Sequence, residues 1–213
     1  RECSVQRRHQ KLVEEAPSSV LTEKMRRKLG KIVVDAARAV QYTNAGTFEF
    51  LMDATGRFYF IEANTRLQVE HGITEMVTGV DIVKEQIRIA AGQRLSFKQG
   101  DVVFNGHAIE CRVNAEHPDT FTPSPGTVRA FSVPGGPGVR VDTFAHAECA
   151  VPPYYDSLIA KIMTHGTDRQ EAIARMRRTL EMAVIEGVNT TVPVLLKIVT
   201  DADFATGRLS TAF

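Results

Sequence analysis

The chain has 213 residues, 43% apolar and 24% charged, with 26 Lys and Arg against 25 Asp and Glu. This composition is that of an ordinary globular protein and excludes fibrous and disordered classes. A net charge of +1 leaves no footprint for nucleic acid or an anionic membrane, and no apolar run reaches the ~20 residues of a membrane helix. The opening "RECSVQRRHQK" lacks the apolar core of a signal peptide, and the absence of an initiator Met predicts a start inside a longer protein. Cys3, Cys111 and Cys149 are widely spaced and odd in number, which fits neither a disulfide framework nor a zinc site and suits a reducing cytosol.

In chain order, "SVQRRHQKLVEEAP" alternates loosely up to Pro17 and predicts one strand over residues 4–14. Its basic cluster, Arg7, Arg8, His9 and Lys11, is too short for a nucleic-acid patch. Thr22 is placed to cap a helix in which Met25, Leu29, Ile32, Val33, Ala36 and Val40 recur at helical spacing. "TFEFLMDATGRFYFIEAN" reads as two strands joined by a turn at 53–56. From Glu62 every second residue is polar, so the polar face of the second strand is predicted to run on through Asn64, Arg66, Gln68 and Glu70. Asp81 caps a helix over 82–91 that stops at Gly92.

Residues 101–155 are rich in Val, Phe, Pro and Gly and predict β structure, with "PSPG" and "PGGPG" as turns. "PGGPG" neither ends in Gly-Lys-Ser/Thr nor opens a helix, so it is not a phosphate loop. "TDRQEAIARMRRTLEMAVIEG" predicts a helix up to Gly187, opened by a capping box of Thr167 with Gln170 or Asp168 with Glu171. Its stripe of Ala172, Ile173, Met176, Leu180, Ala183 and Val184 is a core face, and Pro193 sits in the first turn of a last helix. The expected fold is α+β, with a boundary near residue 100.

The first hairpin carries paired carboxylates. A turn at 53–56 predicts that Met52 pairs with Arg57, Glu49 with Phe60 and Thr47 with Glu62. Glu49 and Glu62 are then diagonal neighbours, ~7–8 Å apart. Both could grip one cation, with Asn64 adding an amide oxygen, and such hard ligands suit Mg²⁺ or Mn²⁺. The flanking Phe48, Phe50 and Ile61 predict a buried sheet, where two like charges repel unless a cation lies between them. Spacing alone leaves this reading beside that of a solvated face with two unrelated acids. Arg66 could fork a carboxylate or phosphate, and Glu70 could act as a general base; an Arg–Glu pair on a polar strand face is the plain alternative. Arg112 beside Glu110 has the same two readings, a site residue or a structural ion pair.

The run "GTFEFLMDATGRFYFIEANTRLQVEH", followed by "TEMVTGVDIVKEQIRIAAGQ", resembles the signature region of biotin carboxylase, an ATP-grasp ligase. The resemblance extends to "CSVQRRHQKLVEEAP", "GHAIECRVNAE", "FTPSPG" and "PPYYDSLIAKI", nearly the whole chain. E-x-N after a first Glu says only Mg-ATP; "NTRLQVEH" is the specific part. The resemblance implies a reaction in which bicarbonate attacks the γ-phosphate of Mg-ATP, giving carboxyphosphate, and the ureido nitrogen of biotin is then carboxylated. It implies that Glu49, Glu62 and Asn64 hold Mg²⁺ or Mn²⁺, and that Lys11, Arg66, Gln68 and the backbone of Val69 bind bicarbonate. Glu70 would be the base and Arg112 would stabilise the enolate-like oxygen of biotin, with Arg66 beside them in the catalytic set. Gln6, His9, Leu51, Ile61 and Glu62 would contact the nucleotide.

The resemblance also implies the C-terminal lobe of an ATP-grasp fold over 1–100 and a β-rich C-terminal domain with helices over 101–213. Expected partners are a biotin carboxyl carrier protein, a carboxyltransferase and a second copy of the chain, in the cytoplasm or in a mitochondrial or plastid matrix. Pro137 stands where many relatives have Phe, near the family's dimer contact at Arg140, and Gly72 stands where Pro is common. The family's N-terminal domain, its glycine-rich lid and the lid-side lysines are missing, so the chain is expected to be inactive alone. No biotinyl "MKM" segment is present, and the acyl acceptor is not written in this sequence. The rivals are another ATP-grasp carboxylate–amine or carbamoyl-phosphate ligase, and a non-catalytic docking module.

Overall fold

The computed structural model describes all 213 residues. The strands β1 (Glu2–Arg7) and β2 (Gln10–Ala16) precede the helix α1 (Glu23–Ala39), the hairpin β3 (Thr47–Met52) and β4 (Phe58–Asn64), and the helices α2 (His71–Thr78) and α3 (Ile82–Ala90). Then follow β5 (His107–Asn114), β6 (Gly126–Thr127), β7 (Ala130–Ser132), β8 (Val139–Thr143), β9 (Ala150–Val151) and β10 (Leu158–Gly166). The helix α4 (Arg169–Met182), the strand β11 (Val184–Glu186) and the helices α5 (Val192–Thr200) and α6 (Ala202–Thr206) complete the order.

An antiparallel sheet in the order β1-β2-β5-β10-β8 organises the molecule. It joins strands from both sides of residue 100, so the change in composition there does not interrupt it. Strand alternation gives the sheet two unlike faces. Val13, Ile109, Cys111, Val113 and Ile162 point to the side of α4, α5 and α6, where Ile173, Met176, Leu195 and Phe204 complete the main core. On the other face α2 lays Ile73 and Val77 on Ala16, Ala108 and Met163. Glu14, Glu110, Arg112 and Lys161 share that second face, because Glu14 pairs with Glu110, Lys161 with Arg112 and Met163 with Glu110.

Three helix starts form as the sequence dictates. Thr22 accepts from the Met25 amide at 3.3 Å, Asp81 from Lys84 at 2.8 Å and Asp168 from Glu171 at 2.9 Å. Elsewhere the structure differs. The single strand over 4–14 is a hairpin: Arg8 and His9 take φ of 49° and 65° and close a two-residue turn whose twist matches antiparallel strands. The helix toward Gly187 stops at Met182, because Val184, Ile185 and Glu186 pair with Ser132, Phe131 and Ala130 of β7.

The strand predicted through Glu70 ends at Asn64, and residues 65–70 form an irregular segment leading into α2, which alternation alone did not reveal. At Gly72, α2 lies close on β10, with the Met163 sulfur where a Cβ would stand. The hairpin β3–β4 is not the buried sheet expected. It forms a separate two-stranded sheet, and Leu51, Phe60 and Ile61 are 50%, 58% and 50% exposed.

Ile73 is fully buried under α2 and seats the helix that carries Glu70 at its start. Ile73→Ala is expected to lower stability by about 2–5 kcal/mol. Urea denaturation checks this, with a lower midpoint at unchanged slope.

Candidate functional site

The hairpin register decides how the acids meet. Met52 pairs with Phe58, Leu51 with Tyr59 and Phe50 with Phe60; a bulge then brings Glu49 opposite Glu62, Phe48 opposite Ala63 and Thr47 opposite Asn64. The predicted register is therefore corrected twice, by one residue at the turn and by one at the bulge. Glu49 and Glu62 are direct rather than diagonal partners, with Cβ atoms about 5 Å apart. Asn64 Nδ2 donates to both, at 3.2 Å to Glu49 Oε1 and 2.8 Å to Glu62 Oε1. The positive end of the amide thus stands between two opposed carboxylates, and turning the amide would present Oδ1 instead. No third carboxylate, His or Cys joins them. The donor set is hard oxygen with Glu62 open to solvent, which fits a hydrated Mg²⁺ or Mn²⁺.

The segment after β4 turns alternate residues inward without being a strand. Gln68 is buried; its Nε2 donates to Glu49 Oε1 at 2.7 Å and its Oε1 accepts from Arg1 at 3.0 Å. The Val69 carbonyl accepts from Lys161 Nζ at 2.6 Å, while its N–H has no acceptor within the chain. Glu70 is 2% exposed at the start of α2. Its Oε1 accepts from Lys11 Nζ at 2.9 Å and its Oε2 from Arg112 Nη2 at 3.0 Å. Lys11 also donates to Glu49 at 2.9 Å, and Arg112 Nε donates to Glu14 Oε1 at 2.6 Å.

These links join Glu14, Arg112, Glu70, Lys11, Glu49 and Gln68 into one network across β2, β5, β3 and the 65–70 segment. Burial raises the Glu70 carboxyl, but Arg1 and Lys11 outweigh it and hold the group below its ordinary value. Glu49 is likewise held low, burial being opposed by Gln68 and Lys11. Burial lowers Lys11, yet the neighbouring thiol and carboxylates raise it overall, so the ammonium persists. An ionised carboxylate, Glu70, and two cations, Lys11 and Arg112, are therefore fixed at one point.

Of the residues singled out from sequence, Lys11, Glu49, Gln68, Glu70 and Arg112 come together, with Glu62 and Asn64 at the exposed end. Arg66 stays on the rim, its guanidinium on the Leu67 carbonyl at 3.2 Å. Gln6 faces Lys11 across the β1–β2 ladder and donates to the Cys3 carbonyl. His9 is exposed at the turn, and Leu51 and Ile61 are exposed on the hairpin, all outside the network. Arg112 pairs with Glu14 and Glu70 rather than Glu110. Arg1, Glu14 and Lys161 were missed. Glu110 carries a signal, a Glu between Ile109 and Cys111 in an apolar run, although the sequence alone offers it only as a partner for Arg112. A cleft of ≈ 680 Å³ opens beside the network, lined by Arg1, Arg26, Phe48, Arg66, Gln68 and His71 among others; Lys11, Glu70 and Arg112 do not line it.

Residues 110–213 match the model of the biotin carboxylase C-terminal domain, and residues 1–98 match that of the carbamoyl-phosphate synthase L chain ATP-binding domain. Biotin carboxylase of Allochromatium vinosum is 56% identical over 97% of this chain and 46% of its own length. Biotin carboxylase 1 of Bacillus subtilis is 54% identical over 100% of this chain and 48% of its own. The biotin carboxylase domain dimer of Hydrogenobacter thermophilus 2-oxoglutarate carboxylase, solved with MgADP, ADP and bicarbonate, superposes with a TM-score of 0.97. It is 53% identical over 99% of this chain and 47% of that one. The chain thus spans about half the length of the relatives it matches.

The low value of Glu70 has a consequence for stability. Its ionised form contributes stability above pH about 4.5, the ordinary value, and that contribution is lost as pH falls through the lower folded value. Lys11→Met removes one of its cations and is expected to reduce stability at neutral pH and to shrink the loss on acidification. Urea denaturation at a series of pH values measures both.

Proposed function

The chain belongs to the biotin carboxylase family, and on that premise we propose that it forms the metal, bicarbonate and biotin side of a biotin carboxylase active site. The observation that carries this reading is the Arg112–Glu70–Lys11–Glu49–Gln68 network, in which a buried carboxylate is held ionised between two cations. Glu49, Glu62 and Asn64 would hold Mg²⁺ or Mn²⁺, which supplies charge neutralisation on the ATP phosphates. Lys11, Gln68, Arg66 and the unpaired Val69 N–H would surround bicarbonate, a planar anion suited to an ammonium and a fork. Glu70 would take the bicarbonate proton as the oxygen attacks the γ-phosphoryl group and ADP leaves, giving carboxyphosphate. Carboxyphosphate would break down to CO₂ and phosphate, and Arg112 would stabilise the oxyanion that develops on the ureido group of biotin as its N–H proton passes to the released phosphate and its nitrogen takes up CO₂.

Gln6, His9, Leu51 and Ile61 would form part of the nucleotide pocket; the exposed apolar hairpin is consistent with a surface that a nucleotide covers. In this reading residues 1–100 are the C-terminal lobe of the ATP-grasp domain and 101–213 the C-terminal domain. The longer protein would act with a biotin carrier and a carboxyltransferase, as a dimer, in the cytoplasm. No helix is long and apolar enough to cross a membrane. The match of residues 1–98 to a carbamoyl-phosphate synthase domain keeps a second ligase reading in view for the ATP-binding part, and biotin dependence separates the two.

The test is ADP release from Mg-ATP, with and without bicarbonate and free biotin, for the 213-residue chain, the full-length protein carrying it and its Glu70→Gln variant. Turnover is expected only from the full-length protein, dependent on bicarbonate and stimulated by biotin. Glu70→Gln should lose roughly 10²-fold or more. Turnover indifferent to biotin would assign the chain to another ATP-grasp ligase, and an unaffected Glu70→Gln would remove Glu70 from the chemistry.

A further inference from the structure

Beneath the network lies a second pair of opposed carboxyl groups that no step above uses. Glu14 on β2 and Glu110 on β5 are direct cross-strand partners on the α2 face of the sheet, and they are 1% and 0% exposed. Glu14 Oε1 accepts from Arg112. The other three oxygens, Glu14 Oε2 and both of Glu110, are buried without any donor in the chain. Three orphaned acceptors at one place in a low-dielectric interior are costly, and two adjacent buried anions more so.

The groups facing the pair are Lys11 on β2, Arg112 on β5, Lys161 on β10 and Glu70 at the start of α2, with Cys3 on β1. Their cations are already engaged: Lys11 with Glu49 and Glu70, Arg112 with Glu14 and Glu70, Lys161 with the Val69 carbonyl and Asp142. No cation is left over for Glu110. A proton between the two carboxyls would supply the donor that the orphaned oxygens lack and remove one of the two charges.

We propose that Glu14 and Glu110 share one proton and work as a single monoanionic unit, with Glu110 the protonated partner, and that this unit positions Arg112 against Glu70. Placement of the proton follows from the hydrogen bonds: Arg112 holds Glu14 as the anion, while nothing in the chain donates to Glu110. Burial pushes the Glu14 carboxyl up to about 7 against the pull of Arg112, and burial with the Glu14 charge pushes Glu110 well above its ordinary value. Both directions agree with one retained proton at neutral pH. The bearing of the unit on catalysis rests on the role proposed for Arg112. A second charge in the pair would draw the guanidinium away from Glu70, so the proton sets how Arg112 is shared.

The sign of the linkage is fixed. Unfolded, both carboxyls are ionised above pH about 4.5, whereas the folded pair keeps one proton, so stability falls as pH rises through the neutral range. Infrared spectra of the protein at neutral pH should show the carbonyl stretch of one protonated carboxyl group. Glu110→Gln should abolish it. Glu14→Gln should abolish it too, because Glu110 then becomes the counter-ion of Arg112; a band that survives there would mean that Glu110 is protonated by burial alone and that no proton is shared.

Stability measured by urea from about pH 6 to 8, below the range in which the buried thiols contribute, should fall more steeply in the wild type than in Glu110→Gln, and equal slopes would overturn the assignment. If a Gln variant fails to fold, the wild-type spectrum decides: the band must fade on alkaline titration together with stability, and its absence at neutral pH refutes the pair. In the full-length enzyme kcat should fall on the alkaline side as the pair loses its proton, and Glu110→Gln should remove that fall, a readout that a merely structural residue would not move; a fall that is absent or unmoved would separate the pair from Arg112. The role of Arg112 is tested apart: an active Arg112→Lys would defeat that role while leaving band and slope in place.

Discussion

The guanidinium of Arg112, held between Glu14 and Glu70, is the contact on which the arrangement of the site depends. It ties the central sheet, through β2 and β5, to the segment that leads into α2. Replacing such a buried ion pair by well-packed apolar side chains is often neutral or stabilising, while removing one partner costs about 3–5 kcal/mol. Stability therefore gives little reason for charges at this place. Their presence is explained if they are needed as charges, to fix a base and an anion-stabilising group against each other.

The sheet can carry this cluster because its other face does the work of folding. Val13, Ile109, Cys111 and Val113 on β2 and β5 are buried against α4 and its neighbours, and that core is almost wholly apolar. One-residue alternation turns Glu14, Glu110 and Arg112 to the opposite side. A one-residue slip of β5 would turn Glu110 and Arg112 into the main core, so the same pattern that builds the site also pins the strand pairing. A buried carboxylate on the α4 side, Glu15, is fully matched: it accepts from His107 at 2.7 Å and from Arg169 at 2.7 Å, which holds the start of α4 to the sheet.

Local signals were legible where chemistry is local. Thr22, Asp81 and Asp168 cap helices because the side-chain oxygen and the amide it satisfies lie within three residues. The polar alternation from Glu62 to Glu70 was also real, in that Gln68 and Glu70 do turn inward. It misled about geometry, since an irregular segment can alternate as a strand does. The helix after it was hidden because Gly72 in its first turn is a poor helix former, while the packing of α2 on Met163 and Ala108 that holds it is a contact no local window contains. The Glu14–Glu110 pair was hidden for a related reason: its members lie 96 positions apart and meet only through the β2–β5 ladder. The resemblance supplied the proposed roles of the site residues, and the hairpin bulge shows what it could not supply, the direct opposition of Glu49 and Glu62.

The site thus contains one motif twice, a glutamate directly opposite a glutamate across an antiparallel ladder, in two settings that require different solutions. Glu49 and Glu62 lie at the surface, Glu62 exposed, and Asn64 already reaches both. Open solvent leaves room for the waters that a small divalent ion retains when only two or three protein oxygens bind it. Glu14 and Glu110 have no such room, because the sheet and α2 enclose them. A hydrated ion cannot enter, while a proton needs neither space nor a coordination shell. In the proposed reading, burial would select between cation and proton as the neutraliser of such a pair, and Lys11 and Arg112 link the two pairs through Glu70. A charge gained or lost at either pair is felt at the carboxylate between them.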